Sequence, residues 1–227
     1  MICFLPHELM AALNFSEAIV FQPEMKWEDG SKTRQGTGSF VKTPNGKLVG
    51  MTSAHFIDFS GPKLLEVDWL DIKTEKPIAI SVKSWGVPGR EGSYDPLDLR
   101  SDYLLLLMEG DIASKTILEI DSRTSIAVGE RVWFPNKNAK AKAGYDLIEG
   151  KVTKANEAYL LVKLEKEVDL QSRSGTPIIS QSTEKVIGIL TGCEDAELYL
   201  APGHSIYSAL LKTQQPLWLK DVVGLQD

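Results

Sequence analysis

Cysteine is nearly absent from this sequence: its 227 residues include two, Cys3 and Cys193. They lie far apart, one near a terminus, so the expectation is free thiols, no disulfide and no metal site or other cofactor. The fold must then be held by core packing. Positive charge is also short, and a net charge of -6 carries no nucleic-acid footprint. No apolar run approaches the ~18 residues of a membrane-spanning helix, so no membrane partner is expected. Residues 1–15 have apolar stretches but no basic start, and His7 and Glu8 interrupt them. That is not a signal-peptide pattern; it favours the cytoplasm and leaves secretion or delivery open. Sustained helical periodicity is missing too, and there are only three histidines.

What is present is a series of short apolar segments separated by turns. Such spacing favours antiparallel all-β barrels over an α/β sheet, and 227 residues suit one all-β domain or two small ones. The first strand is expected over 18–22, followed by a polar loop over 24–35. A hairpin follows, with arms at 36–43 and 47–51 around Pro44-Asn45-Gly46. Further strands are expected over 61–71 and 76–85, and then a Gly/Pro/Asp-rich loop over 86–100. Residues 109–130 read as the link between two halves. In the second half, strands are expected near 131–134, 145–152, 158–164, 176–179, 185–190 and 198–200. A short closing helix is placed within 208–220, with Pro216 preventing a continuous one.

Three segments carry chemistry. Asp169 to Ser180, DLQSRSGTPIIS, places Ser174 in a tight turn just before an apolar strand. Taken alone, Ser-Gly-x-Pro is also an ordinary turn. Leu48 to Ile57, LVGMTSAHFI, runs an apolar strand into His55. In Ser101 to Met108, SDYLLLLM, Asp102 stands directly before an apolar run. A carboxylate beside a buried strand needs a polar partner, and an imidazole N–H is suitable. Asp95 and Asp98 are rivals to Asp102, but both sit in a polar loop without an adjoining buried strand.

In the order His55, Asp102, Ser174, these segments resemble those of the chymotrypsin-fold (trypsin-like) serine peptidases, in style nearest the HtrA-type protease domain without a PDZ domain. GTGSF at 36–40 is similar to the family's GSG-F strand, TSAH at 52–55 to T-A-A-H, and SRSGTP at 172–177 to G-x-S-G-G-P. VGERVWFPN, KVIGILTG and HSIYSALLK are similar to later segments of that family, and the resemblance runs from about Ala18 to Lys212.

The resemblance implies two antiparallel six-stranded β-barrels, residues 1–118 with His55 and Asp102 and residues 119–227 with Ser174. It implies hydrolysis of peptide bonds in a peptide or protein substrate, by a His-Asp-Ser triad and an acyl-enzyme. The backbone amides of Ser172 and Ser174 would form the oxyanion hole. Leu190, Thr191, Gly192 and Cys193 would be the edge that pairs with substrate backbone, with the Thr191 hydroxyl on Asp102. Val168, Asp169, Thr191, Cys193 and Ser205 would line the primary specificity pocket. Asp169 can be read as a counter-charge for a basic side chain or, preferably, as a solvated loop acid. His204 reads as a pocket-wall or core residue. The family usually has Gly at the positions of Ser172 and Thr176, and Asp or Asn at that of Arg173. The alternative these departures raise is an impaired peptidase fold that grips a peptide without cleaving it. A lipase-like α/β hydrolase is opposed by the order of the three residues. The sequence does not indicate an oligomeric state.

Overall fold

The computed structural model describes residues 17–57, 61–85, 98–109, 112, 117–194, 197–212 and 215–222. The first half comprises β1 (Phe21–Trp27), β2 (Lys32–Arg34), β3 (Ser39–Lys42), β4 (Leu48–Thr52), a 3-10 turn (Ala54–Phe56), β5 (Leu64–Asp71), β6 (Pro77–Ser84) and β7 (Leu104–Glu109). Hydrogen bonding runs β2-β1-β5-β6-β7-β4-β3. The sheet curls until Phe21 of β1 meets Gly38 at the start of β3, where two backbone hydrogen bonds of 2.9 Å form the seam. Inside lie Met25, Leu64, Val67, Trp69, Leu104 and Leu106, with Phe21 stacked on Phe40 at 4.2 Å and Trp69 edge-on to Phe40 at 5.4 Å.

A short β8 (Ile117–Leu118) runs parallel to β3, and two residues later Ile120 bridges Val186 in the other half. The second half closes into a six-stranded barrel in the order β10-β11-β14-β13-β12-β9. Its strands are β9 (Arg131–Lys137), β10 (Tyr145–Ala155), β11 (Leu160–Leu164), β12 (Pro177–Ser180), β13 (Val186–Glu194) and β14 (Glu197–Pro202). Helix α1 (Gly203–Leu211) packs on β13 and β14. The chain then returns to the first half, where β15 (Leu217–Trp218) pairs with β6 and α2 (Leu219–Val222) places Leu219 in the first core.

The barrel-to-barrel contact explains the unbroken apolar run of β7. Leu104, Leu106 and Met108 point into the first barrel, while Leu105 joins Val41, Val49, Met51, Ile179, Val186 and Ile189 between the barrels. A strand buried on both faces loses its alternation.

Two expectations are corrected. Residues 24–35 are not a loop: β1 continues to Trp27, and β2 follows across a turn at Asp29-Gly30. Met25 is buried and its charged neighbours lie on the opposite face in cross-strand pairs, Glu24 with Arg34 (2.6 Å) and Lys26 with Asp68 (2.8 Å), with both carboxylates largely covered. The helix starts at Gly203 rather than near Ser208. A Cβ at Gly203 would come within 2.8 Å of the Ile187 carbonyl oxygen, so glycine permits the close approach of α1 to β13. The hairpin at Pro44-Asn45-Gly46 forms as expected, with Gly46 at φ 86°.

Candidate active site

Strand β4 ends at Thr52, and the chain makes a single 3-10 turn carrying His55. The first amides of such a turn have no partner within it. Asp102, two residues before β7 and only 9% exposed, supplies one. Its Oδ1 accepts the N–H of Ala54 (3.0 Å) and of His55 (2.9 Å), while Oδ2 lies 2.8 Å from His55 Nδ1. The carboxylate thus caps the turn and fixes the imidazole. In a neutral ring with Nδ1 donating to it, Nε2 is the acceptor. The Phe56 ring stands edge-on to the imidazole at 4.6 Å. Asp98 is instead paired with Arg100 at the surface (2.6 Å), which lowers its pKa; Asp95 lies outside the described residues.

Ser174 sits in the second of two consecutive turns before β12. Arg173 N–H donates to Leu170 O (3.2 Å) with Ser172 at φ 55°, and Thr176 N–H donates to Arg173 O (3.0 Å) with Gly175 at φ 86°. Both have a positive φ at the third residue, as in type II turns. Gly175 is required sterically, since a Cβ there would lie 2.1 Å from Thr37 O and 2.6 Å from Thr52 Oγ1. Ser172 has a Cβ and adopts the left-handed conformation at a cost of about 1–2 kcal/mol.

The first barrel grips this turn from Thr37, just before β3, and Ser53, just after β4. Thr37 N–H donates to Ser174 O (2.9 Å), its hydroxyl lies 2.6 Å from that of Thr176, and Ser53 Oγ donates to Leu190 O (3.0 Å). The same Leu190 carbonyl accepts Gly175 N–H (2.6 Å). The segment leading into His55 and the turn carrying Ser174 are therefore joined through one residue of β13. The Ser174 hydroxyl donates to Thr191 O at 3.2 Å. The amides of Ser172 and Ser174 donate to no other described residue.

The remaining sequence-derived residues are distributed unequally. Leu190 is buried in the second core, and its N–H and C=O are both used within the protein, so the edge of β13 opens only beyond it. Among described residues no strand flanks Gly192 and Cys193 on the β12 side, and Cys193 is an exposed free thiol; Cys3 lies outside the described residues. The Thr191 hydroxyl does not reach Asp102; it donates to Tyr199 O (3.0 Å), because the ladder to β14 shifts register between Leu190 and Gly192. Val168 is half-buried against the second core, and Asp169 is exposed with its carboxylate on Gln171 N–H (2.9 Å). His204 and Ser205 occupy the first turn of α1, both half-buried, and burial lowers the His204 pKa.

Thr37, Ser53 and Asn136 were missed by the sequence reading. Thr37 and Ser53 stand inside segments already singled out, GTGSF and TSAH, where their hydroxyls could have been noticed. Asn136 accepts a hydrogen bond from Arg173 Nε (2.9 Å) across 37 positions, and no local signal announces it. Among the described residues no group of three metal-binding side chains occurs, and no helix is long and apolar enough to cross a membrane.

No protein-family model matches this chain, and no curated protein matches it by sequence. Solved structures do. Tobacco etch virus protease, described as catalytically active and complexed with product, is similar at TM-score 0.59 and 12% identity over 96% of this chain and 86% of its own. A cysteine-to-alanine mutant of the same protease gives 0.57 and 12%, over 96% and 87%. Rv3671c from M. tuberculosis H37Rv, a serine-to-alanine mutant in an inactive form, gives 0.52 and 16%, over 92% and 94%. At these identities the likeness is one of architecture: the chain has the two-barrel chymotrypsin-like fold.

Proposed function

We propose that this chain is a serine endopeptidase that hydrolyses peptide bonds with His55, Asp102 and Ser174 through an acyl-enzyme. The observation that carries the reading is the coordination of Asp102, whose three hydrogen bonds from residues 54–55 leave His55 Nε2 as the acceptor. In the proposed cycle, the Ser174 hydroxyl exchanges the Thr191 carbonyl for Nε2. His55 takes its proton as Oγ attacks the substrate carbonyl. Asp102 stabilises the imidazolium. The tetrahedral oxyanion is received by the amides of Ser172 and Ser174, which have no described partner of their own. His55 then returns the proton to the leaving amine, and a water repeats the attack on the ester. Residue 174 is serine, so an oxygen rather than a sulfur nucleophile is proposed.

Substrate backbone is proposed to run along β13 from Thr191 through Gly192 to Cys193, with its side chain toward Val168, Asp169 and Ser205. The division into residues 1–118 and 119–227 is part of the same reading. It is supported by Leu118 pairing with Val41 and Ile120 bridging Val186, except that residues 217–222 return to the first half, where β15 pairs with β6. A proteome-derived peptide library offers enough side-chain variety to test the activity without knowing the specificity. Wild-type protein should generate new N-termini that share a sequence preference and vanish with Ser174→Ala. The same termini from the alanine variant, or none from the folded wild type, would count against a peptidase.

A further inference from the structure

We propose that Arg173 is a positioning residue for the oxyanion site, orienting the Gln171–Ser172 peptide so that its N–H is free for developing charge. The inference rests on the peptidase reading above and concerns a residue to which that reading gives no part. The half-buried guanidinium lies between the turn and β9 and reaches three acceptors: Asn136 Oδ1 from Nε (2.9 Å), Gln171 O from Nη1 (3.0 Å) and Lys137 O from Nη2 (3.3 Å). Two of the three belong to β9, a wall of the closed second barrel, so the group is anchored on a rigid element.

The consequence follows from peptide geometry. No cis peptide occurs among the described residues, and across a trans peptide the C=O and N–H point in opposite directions. Drawing Gln171 O onto the guanidinium therefore turns Ser172 N–H away from it. The flipped peptide would aim that N–H at a group that has only donors, and Nη1 would lose its acceptor. Arginine at this position selects one of the two orientations by donor-acceptor matching. The left-handed φ of 55° at Ser172, which a residue bearing Cβ seldom adopts, belongs to the selected one. Thr176 acts similarly on the next peptide: its N–H and hydroxyl both donate to Arg173 O, at 3.0 and 2.6 Å, and the Thr37 hydroxyl, 2.6 Å from that of Thr176, completes the chain by donating to it, which turns Ser174 N–H away from them.

The experiment measures fluorophosphonate labelling of Ser174, separating the maximal rate from the half-saturating concentration, for wild type, Arg173→Met, Arg173→Lys and Arg123→Met. Arg123 is an ion-paired arginine in another part of the second barrel and controls for loss of stability alone. Arg173→Met should lower the maximal rate by roughly tenfold to a hundredfold, as expected for a misdirected oxyanion donor, and leave the half-saturating concentration within about twofold. Arg173→Lys keeps the charge, but its three N–H donors radiate from one atom and cannot reproduce the planar fork that spans Asn136, Gln171 and Lys137, so its rate should fall between the two. Arg123→Met should lower the melting temperature without changing the rate of the folded protein.

An unchanged maximal rate in Arg173→Met, with wild type labelled, would overturn this inference alone. So would a loss expressed only in the half-saturating concentration. If Arg173→Met does not fold, the lysine variant decides by the same criterion. Absence of labelling in folded wild type would remove the peptidase reading itself, and this inference with it.

Discussion

The two halves of the candidate site solve opposite problems. On the first-barrel side, the Asp102 carboxylate is saturated, with two backbone amides and an imidazole on its two oxygens. On the second-barrel side, the turn around Ser174 has its carbonyls occupied, Arg173 O by the N–H and hydroxyl of Thr176 and Ser174 O by the N–H of Thr37, while the amides of 172 and 174 have no described partner. One half stabilises a charge present before any reaction. The other, in the proposed mechanism, leaves donors for a charge that arises only during it. A buried carboxylate without partners would be costly, whereas unengaged amides at an exposed turn can be solvated until substrate arrives.

Removing the proposed nucleophile should have the largest effect. Ser174→Ala removes the attacking atom, and peptide-bond hydrolysis should fall by about six orders of magnitude, measured on any sequence cleaved from the library. Asp102→Asn breaks the saturated half more selectively. Its one carbonyl oxygen would stay with the amides of Ala54 and His55, so its NH2 would face Nδ1 and force the proton onto Nε2. A base in that tautomer cannot accept from Ser174, and kcat should drop by ~10⁴-fold with the fold retained.

A contrast outside the site sharpens the comparison. Arg123 lies 2.6 Å from Asp121 and 2.7 Å from Glu130, clamping the entry to the second barrel. Burial alone would raise the Asp121 pKa, but hydrogen bonds from Arg123 and Thr183 outweigh it and lower it. Arg123→Met would strand two carboxylates of which Asp121 is nearly inaccessible. Unfolding free energy should fall by about 2 kcal/mol, less than for a fully buried pair because Arg123 is itself a third exposed. Denaturant titration reads that loss, and kcat should not follow it.

A smaller effect concerns pH. Burial disfavours the charged form of His204 and lowers its pKa below 6.5, with Glu157 opposing and Arg100 reinforcing to lesser extents. The unfolded chain therefore binds the proton first. This contribution to stability is full above the unfolded value of about 6.5 and is lost as pH falls through the folded one. His204→Gln should thus lose less melting temperature than wild type between about pH 7 and about pH 5. The smallest change is expected from Ser172→Gly. The sequence alone raises the concern that a side chain here distorts the oxyanion site; with Ser172 already at φ 55°, glycine should change the rate of Ser174 labelling by less than about threefold.

Much of this was legible in the sequence because it is local. The apolar run after Asp102, the Pro-Asn-Gly turn and the Ser-Gly-x-Pro turn each follow from a few adjacent residues, and the family resemblance of the segments around His55, Asp102 and Ser174 implied two barrels. What was not legible depends on partners far along the chain. Residues 24–35 look like a loop because their charges are visible and the cross-strand partners Glu66 and Asp68 are not. The Thr191 hydroxyl is redirected by a bulge that only the pairing of β13 with β14 defines. Arg173 reads as a departure until Asn136 and Lys137 appear beside it.

The most direct test of the site is where a fluorophosphonate binds. Peptide mapping by mass spectrometry after labelling of folded wild type should find a single adduct, on Ser174, absent from Ser174→Ala and formed far more slowly in His55→Ala. An adduct on another residue, or a rate indifferent to His55, would contradict the assignment of His55, Asp102 and Ser174 to one catalytic unit.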